Sequence, residues 1–304
     1  MVTQTVFIGY FYLFLVVVIW VWSGFLIQWI FSESSNGYTN NPIAMTILSV
    51  GLCCLLLLLP RKQADDSRQR LIKKNRTRLL TSKSLLLGSV WLLAQLLYNL
   101  SLINLSVSTS SSISAFSSLF TYLFSLLLLT GYTIDINPLL GILFSFTGIH
   151  LLVNAPDNQV SILGIFLAVT SCAFYGLFSV LLKKWSTDSI VFLFGQLGLV
   201  AIILGVPILV LAHVSGIETF KAPSISCFCA ISVNALFGSV LSDILLANAI
   251  LRLTPILVSV GLTFTIPVSA MIESPAHFPT VRSVLGYAFV VTSLLLVGRY
   301  NPSE

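Results

Sequence analysis

Asp243 is the one acid of this sequence that lies deep inside an apolar run of membrane length. A carboxylate there can hold a proton, a cation or a hydrogen-bonding neighbour. An ionised one costs about 2.5–3.5 kcal/mol in hydrocarbon even on the lenient insertion scale. It must therefore face other helices or water, or bind a proton. On its expected helix face lie Ser232, Ser239 and Ala247, small residues that would admit a close neighbour. The second chemical feature is a set of hydroxyls. Ser106, Ser110, Ser114, Ser117 and Thr121 fall within about 80° of one another at 100° per residue. Ser259, Thr263 and Thr265 follow Asp243 in the next apolar run. Such hydroxyls either let helices pack and bond closely or line a polar cavity, and the sequence leaves both readings open. Trp20 and Tyr175 read first as lipid-facing or packing aromatics; a gate or a stacking platform for a ligand is the second reading.

Enzyme constellations are missing. The sequence has no P-loop, no HExxH pair, no GxSxG and no metal-ligand spacing. The serine runs lack a His and Asp at matching depth. Cys53, Cys54, Cys172, Cys227 and Cys229 all lie in apolar runs and read as small buried hydrophobes. No cofactor and no metal is expected, and nothing resembles an ATP-binding domain, so any transport must use an existing gradient or exchange. His150, among leucines, reads as a satisfied or interfacial histidine rather than a proton relay.

What must position these residues is a membrane-embedded bundle. Of 304 residues, 57% are hydrophobic and 8% charged, with mean hydropathy +1.00. A soluble domain carries roughly 25% charged residues, so lipid is the main solvent of this surface. Apolar runs of about 20 residues mean helices rather than barrel strands. Ten spans are expected, near 6–31, 42–60, 84–105, 107–131, 137–154, 161–183, 189–213, 223–250, 254–273 and 279–298. The first segment lacks a basic leader and reads as a span rather than a signal peptide.

Charge tests the count. With the N-terminus in the cytosol, thirteen of the fifteen Lys and Arg residues fall on the cytosolic side, as the positive-inside rule requires. Nine of them crowd the segment 61–83; Lys221 and Arg282 are the two outside. The net charge of +5 therefore reports topology and contact with anionic lipid heads, not nucleic-acid binding. Both termini are expected in the cytosol.

The chain also repeats itself. Residues 9–33 lie over 164–188 without a gap, pairing Gly9 with Gly164 and Trp20 with Tyr175. A second offset pairs Asn99 with Asn248, Ser110 with Ser259 and Ser114 with Thr263; a third pairs Gly141 with Gly286. The expected fold is an all-α integral membrane protein of ten transmembrane helices in two inverted five-helix repeats, 1–157 and 158–304. That plan serves many secondary transporters, which bind near the midplane between repeats.

Three segments carry a family resemblance: SSSISAFSSLFTYLFS (110–125), AFYGLFSVLLKK (173–184) and NALFGSVLSDILLANAILRLTPILVSVGLTFTIP (234–267). They resemble the drug/metabolite transporter superfamily, and within it the EamA-like and solute carrier family 35 subfamily F group, which includes the yeast thiamine-repressible transporter-like proteins. The resemblance implies a central cavity between the halves. On the matched motifs lie Asp243, Ser259, Thr263, Thr265 and Pro267, with Ser114, Ser117, Ser118 and Thr121, and the basic pair Lys183–Lys184. Many members carry Gly-Glu after the fourth span; TGYTID stands here, so that Glu's role is missing or passes to Asp135.

The leading expectation is a secondary transporter of a small polar or cationic metabolite, proton-coupled or exchanging. Its candidate site is Ser110, Ser114, Ser117, Thr121, Asp243, Ser259, Thr263, Thr265, Trp20 and Tyr175. A nucleotide-sugar carrier ranks second, because diphosphates need buried Lys or Arg and no span carries one in its middle third. A non-transporting membrane scaffold or receptor is the alternative of another class. The expected partners are a small-molecule solute and membrane lipid, with a homodimer left open. The expected location is an endomembrane, Golgi or vacuole-like, or the plasma membrane.

Overall fold

The computed structural model describes residues 2–33, 41–58, 80–105, 113–152, 161–185, 189–218, 225–273, 281–300 and 302. Ser106, Ser110, Lys221, His277 and residues 61–79 of the basic segment lie outside them. Every regular element described is helical. In chain order these are α1 (Val2–Glu33), α2 (Pro42–Gly51, extended by a 3-10 stretch Leu52–Leu58), α3 (Ser82–Asn104), α4 (Ser117–Leu128), α5 (Ile136–Leu152), α6 (Ile162–Lys184) and α7 (Ile190–Val214). Then come α8 (Ile225–Val233), a π-helical stretch Asn234–Leu241, α9 (Ser242–Arg252), α10 (Pro255–Leu262), α11 (Thr265–Glu273) and α12 (Val281–Gly298).

Five helical stretches are long and apolar enough to cross a membrane: Gln4–Leu26, Ser82–Ser101, Ile162–Lys184, Ile190–Val214 and Phe228–Arg252. Five more apolar stretches are shorter, among them Ser117–Leu128 and Pro255–Ser269. Helix starts follow local chemistry. Thr81 and Ser84 form a reciprocal capping box on α3. Ser161, Ser189 and Thr254 each accept a backbone N–H of the following turn. Pro42 and Pro255 occupy first helical turns, where a missing N–H costs nothing.

The expected span 254–273 is interrupted. The chain leaves the helix after Leu262 and re-enters at Thr265. Pro267 explains the break, since it has no N–H for the carbonyl four residues back and its ring crowds that turn.

The core runs through the middle of the bundle. Trp91 of α3 is 1% exposed. It stacks on Phe178 of α6 (centroids 6.2 Å) and meets Phe194 of α7 edge-on (5.6 Å), tying three helices at one ring. Outward lie Phe7, Phe11, Phe14 and Trp22 of α1, all exposed, as a lipid-facing stripe requires. The neighbour pairs that matter below are α3 with α6, α1 with α9, α4 with α6, α4 with α10, and α5 with α12.

Candidate functional site

Asp243 is the second residue of α9 and follows directly on the π-helical stretch. Such wide turns insert a residue and recur at functional sites. Here side chains hold the turn. Ser23 of α1 donates its hydroxyl to Asn234 Oδ1 at 2.6 Å. Ser242 donates to the carbonyls of Gly238 (2.5 Å) and Ser239 (3.1 Å). Gly238 is required at the crossing, since a Cβ there would lie 2.6 Å from Ser23 Oγ.

The insertion corrects the expected face of Asp243. Ser232 is turned aside, half-buried, and bonds to its own helix at Phe228 O. Asn234 and Ala235 ahead of Asp243 and Ala247 behind it are buried. Asn234 and its partner Ser23 were not legible as site residues, because a regular wheel places Asn234 elsewhere.

The Asp243 side chain is 4% exposed, and its Oδ2 has no hydrogen-bond partner among the described residues. Cys53, in the 3-10 end of α2, and Tyr175 of α6 lie within its electrostatic reach, and Tyr98 and Cys172 lie within reach of Tyr175. Tyr175 is half-buried. A buried carboxylate oxygen without a partner among the described residues can take a proton or a cation. Trp20 is half-buried and packs on the core from α1.

The hydroxyls are turned inward on their own helices. Thr121 donates to Ser117 O (2.7 Å), Ser259 to Ile256 O (2.9 Å), Thr263 to Val260 O (2.6 Å) and Thr265 to Leu262 O (2.8 Å). Each keeps lone pairs for a neighbour. Thr263 uses one for Ser145 Oγ of α5 at 3.3 Å. The helices that carry them touch, since α4 packs on α10. Gly176, next to Tyr175, approaches the backbone of Thr121 on α4. Ser114 and Ser117 are half-buried at the start of this group. Among the described residues no hydrogen bond joins Asp243 to these hydroxyls. Ser125, buried on α4 with an unpartnered hydroxyl, extends the group and was not anticipated.

Three other expectations resolve. Asp135 accepts the N–H of Asn137 at 2.7 Å, and its own backbone is clamped by the Tyr122 hydroxyl, so it is a cap at the start of α5. His150 is exposed, and its carbonyl accepts from Arg282. Lys183 donates to Leu251 O (2.8 Å) and Leu253 O (2.9 Å), where its charge meets the C-terminal end of α9. Beside it Arg252 bonds to Asn248 Oδ1 (2.7 Å) and lies 5.0 Å over the Tyr12 ring. Among the described residues no group of three or more His, Cys, Asp or Glu could hold a metal ion.

Residues 7–154 match the EamA-like transporter family. The chain is 30% identical over 237 residues to the thiamine-repressible mitochondrial transport protein THI74 of Saccharomyces cerevisiae, covering 72% of this chain and 63% of that protein. It is 27% identical to solute carrier family 35 member F5 of Mus musculus, over 70% of this chain and 44% of that one. An uncharacterised vacuolar membrane protein of Saccharomyces cerevisiae is 28% identical over 71% of this chain and 60% of its own. The chain thus spans less than two thirds of the length of these relatives. A crystal structure of a protein 15% identical superposes with a TM-score of 0.71, covering 97% of this chain and 96% of the other, so the fold is one that crystals contain. The apolar helices mark a multi-pass membrane protein, residues 7–154 of which match the EamA-like transporter family, with solute carrier family 35 and yeast THI74-like transporters as its homologues.

Proposed function

We propose that this protein is a secondary transporter of a small polar or cationic metabolite, working by alternating access between two inverted five-helix repeats, 1–157 and 158–304. The observation that carries the reading is the buried Asp243 carboxylate, whose Oδ2 has no hydrogen-bond partner among the described residues. A single acid in an interior without a basic partner favours a proton or a positively charged solute over an anionic one. Ser114, Ser117, Thr121, Ser259, Thr263 and Thr265 would supply hydrogen bonds from the α4–α10 side, and Trp20 and Tyr175 an aromatic wall.

Packing supports the repeat. Gly9 and Gly164 are the sequence-paired glycines. A Cβ on Gly9 would lie 2.8 Å from Leu253, and one on Gly164 would lie 2.7 Å from Leu105. Thus α1 meets the end of α9 as α6 meets the end of α3. In the α5–α12 pair a Cβ on Gly141 would lie 3.0 Å from Ser293 O, and one on Gly148 would lie 2.8 Å from Gly286 O. The pairing of Gly141 with Gly286 also matches position 148 with position 293, so exchanging the halves turns one contact into the other. Ten crossings with both termini cytosolic, in a vacuole-like or other endomembrane, complete the reading.

Uptake of a panel of organic cations and neutral polar metabolites into proteoliposomes, with and without an imposed pH gradient, tests it. Asp243→Asn is expected to lower uptake more than tenfold and to remove the response to the gradient while the protein stays folded. Uptake by the variant at the wild-type rate, with the same pH response, would falsify the assignment of Asp243.

A further inference from the structure

A cleft of about 360 Å³ opens between α1 and the end of α12, lined by Tyr10, Leu294, Leu295, Gly298 and Arg299. It is distant in kind from the Asp243 site: its walls carry two leucines, and among the described residues that line it the one charge is positive. Arg299 is exposed, and the only bond it makes among the described residues is from its backbone N–H to Leu296 O. Its guanidinium has no partner there, and neither does the Tyr10 hydroxyl. The neighbouring cations of this end are committed differently, Arg252 to Asn248 and Tyr12, and Lys183 to the end of α9. Leu295 is 63% exposed, so the cleft opens sideways from the bundle.

We propose that this cleft holds one anionic phospholipid of the surrounding leaflet, its phosphate on the Arg299 guanidinium and the Tyr10 hydroxyl and one acyl chain along Leu294 and Leu295. Charge and depth select this occupant. An arginine that ends an apolar helix sits at headgroup level, where anionic lipid is attracted to basic side chains. A guanidinium offers phosphate two parallel donors. The leucine wall continues into the region that acyl chains occupy. Gly298 keeps the cleft open, because it leaves unfilled the space between the α12 backbone and the Tyr10 ring.

Native mass spectrometry of the whole protein, released from nanodiscs of mixed phosphatidylserine and phosphatidylcholine, tests the proposal. Wild type is expected to retain one phosphatidylserine in preference to phosphatidylcholine. Arg299→Gln should weaken that retention about fivefold, the fold-change that corresponds to ~1 kcal/mol for one basic residue near an anionic surface. Gly298→Val fills the apolar part without touching a charge, and its Cβ would meet Tyr10 Oη at an ordinary 3.4 Å; it should also weaken retention. Melting in pure phosphatidylcholine checks that each variant folds, and Tyr10→Phe replaces Gly298→Val if the valine variant does not. Equal retention of the two lipids by wild type overturns the site, as does unchanged retention in Arg299→Gln. A thermal shift with inorganic phosphate equal to that with phosphatidylserine also overturns it, because the apolar wall would then contribute nothing.

Discussion

Two helical regions occupy matching places in the proposed repeat and differ at one position. α3 runs unbroken from Ser82 to Asn104, whereas 225–252 carries a π-helical stretch before Asp243. The pairing of Asn99 with Asn248 sets Ala94 opposite Asp243. Ala94 is 0% exposed, and its carbonyl accepts the Ser171 hydroxyl at 2.8 Å. The site in the first half is thus closed by a hydrogen bond between α6 and α3. In the second half the corresponding place holds a carboxylate oxygen with no partner among the described residues. The two asparagines diverge as well. Asn99 donates to Thr46 Oγ1 on α2 (2.6 Å), while Asn248 holds Arg252. Packing can repeat where chemistry does not, because small residues and glycines set how helices approach, and a single substitution sets what fills the space between them.

The comparison can be broken most directly by moving the acid. Ala94→Asp places a carboxylate in a filled site at membrane depth, so it should destabilise the protein by about 3 kcal/mol, seen as a lower melting temperature in detergent. If the variant melts like wild type, the first half also has room and the asymmetry is wrong. Gly238→Ala is the next largest. Its Cβ would press on Ser23 Oγ at 2.6 Å, which should cost about 1–3 kcal/mol as overpacking. Combining it with Ser23→Gly should restore most of the loss; a double variant as unstable as the single one would mean that the π turn does not depend on this crossing.

The smallest effect concerns the other end of the second half. Glu218 is 3% exposed and accepts the N–H groups of Ile43 (3.1 Å) and Ala44 (3.2 Å) at the start of α2. Burial pushes its carboxyl above the usual value of 4.5, and the two N–H groups pull it partly back. A carboxyl raised by folding contributes stability that is full below its unfolded value and is lost as pH rises through the folded one. Melting temperature should therefore decline slightly as pH rises from 4.5, and Glu218→Gln should flatten that slope. A steeper slope in the glutamine variant would assign the titration elsewhere.

Much of this was readable in the chain. Asp243 announces itself because a charge in a long apolar run has few reasons to be there. Pro42 and Pro255 mark helix starts, and Thr254 caps where its type suggests. Pro267 was read only as a residue within the expected span 254–273, and the break after Leu262 was not legible, because whether a proline bends, ends or only kinks a helix depends on what its neighbours satisfy. The hydroxyl stripe was ambiguous for a similar reason. A serine or threonine can bond to its own helix or to a partner, and only the packed bundle chooses.

What the sequence determined by itself is the solvent and the secondary structure. So few charges leave lipid as the medium, and in lipid every backbone group must be satisfied within a helix. The repeat offsets and the place of Asp243 along the chain are equally properties of order alone. The tertiary structure decided which way Asp243 faces. Its direction depends on a π turn that Ser23, on a helix more than two hundred residues earlier, holds through Asn234. A contact between such distant segments leaves no periodic trace in either, so it is fixed only when α1 and 225–252 pack together.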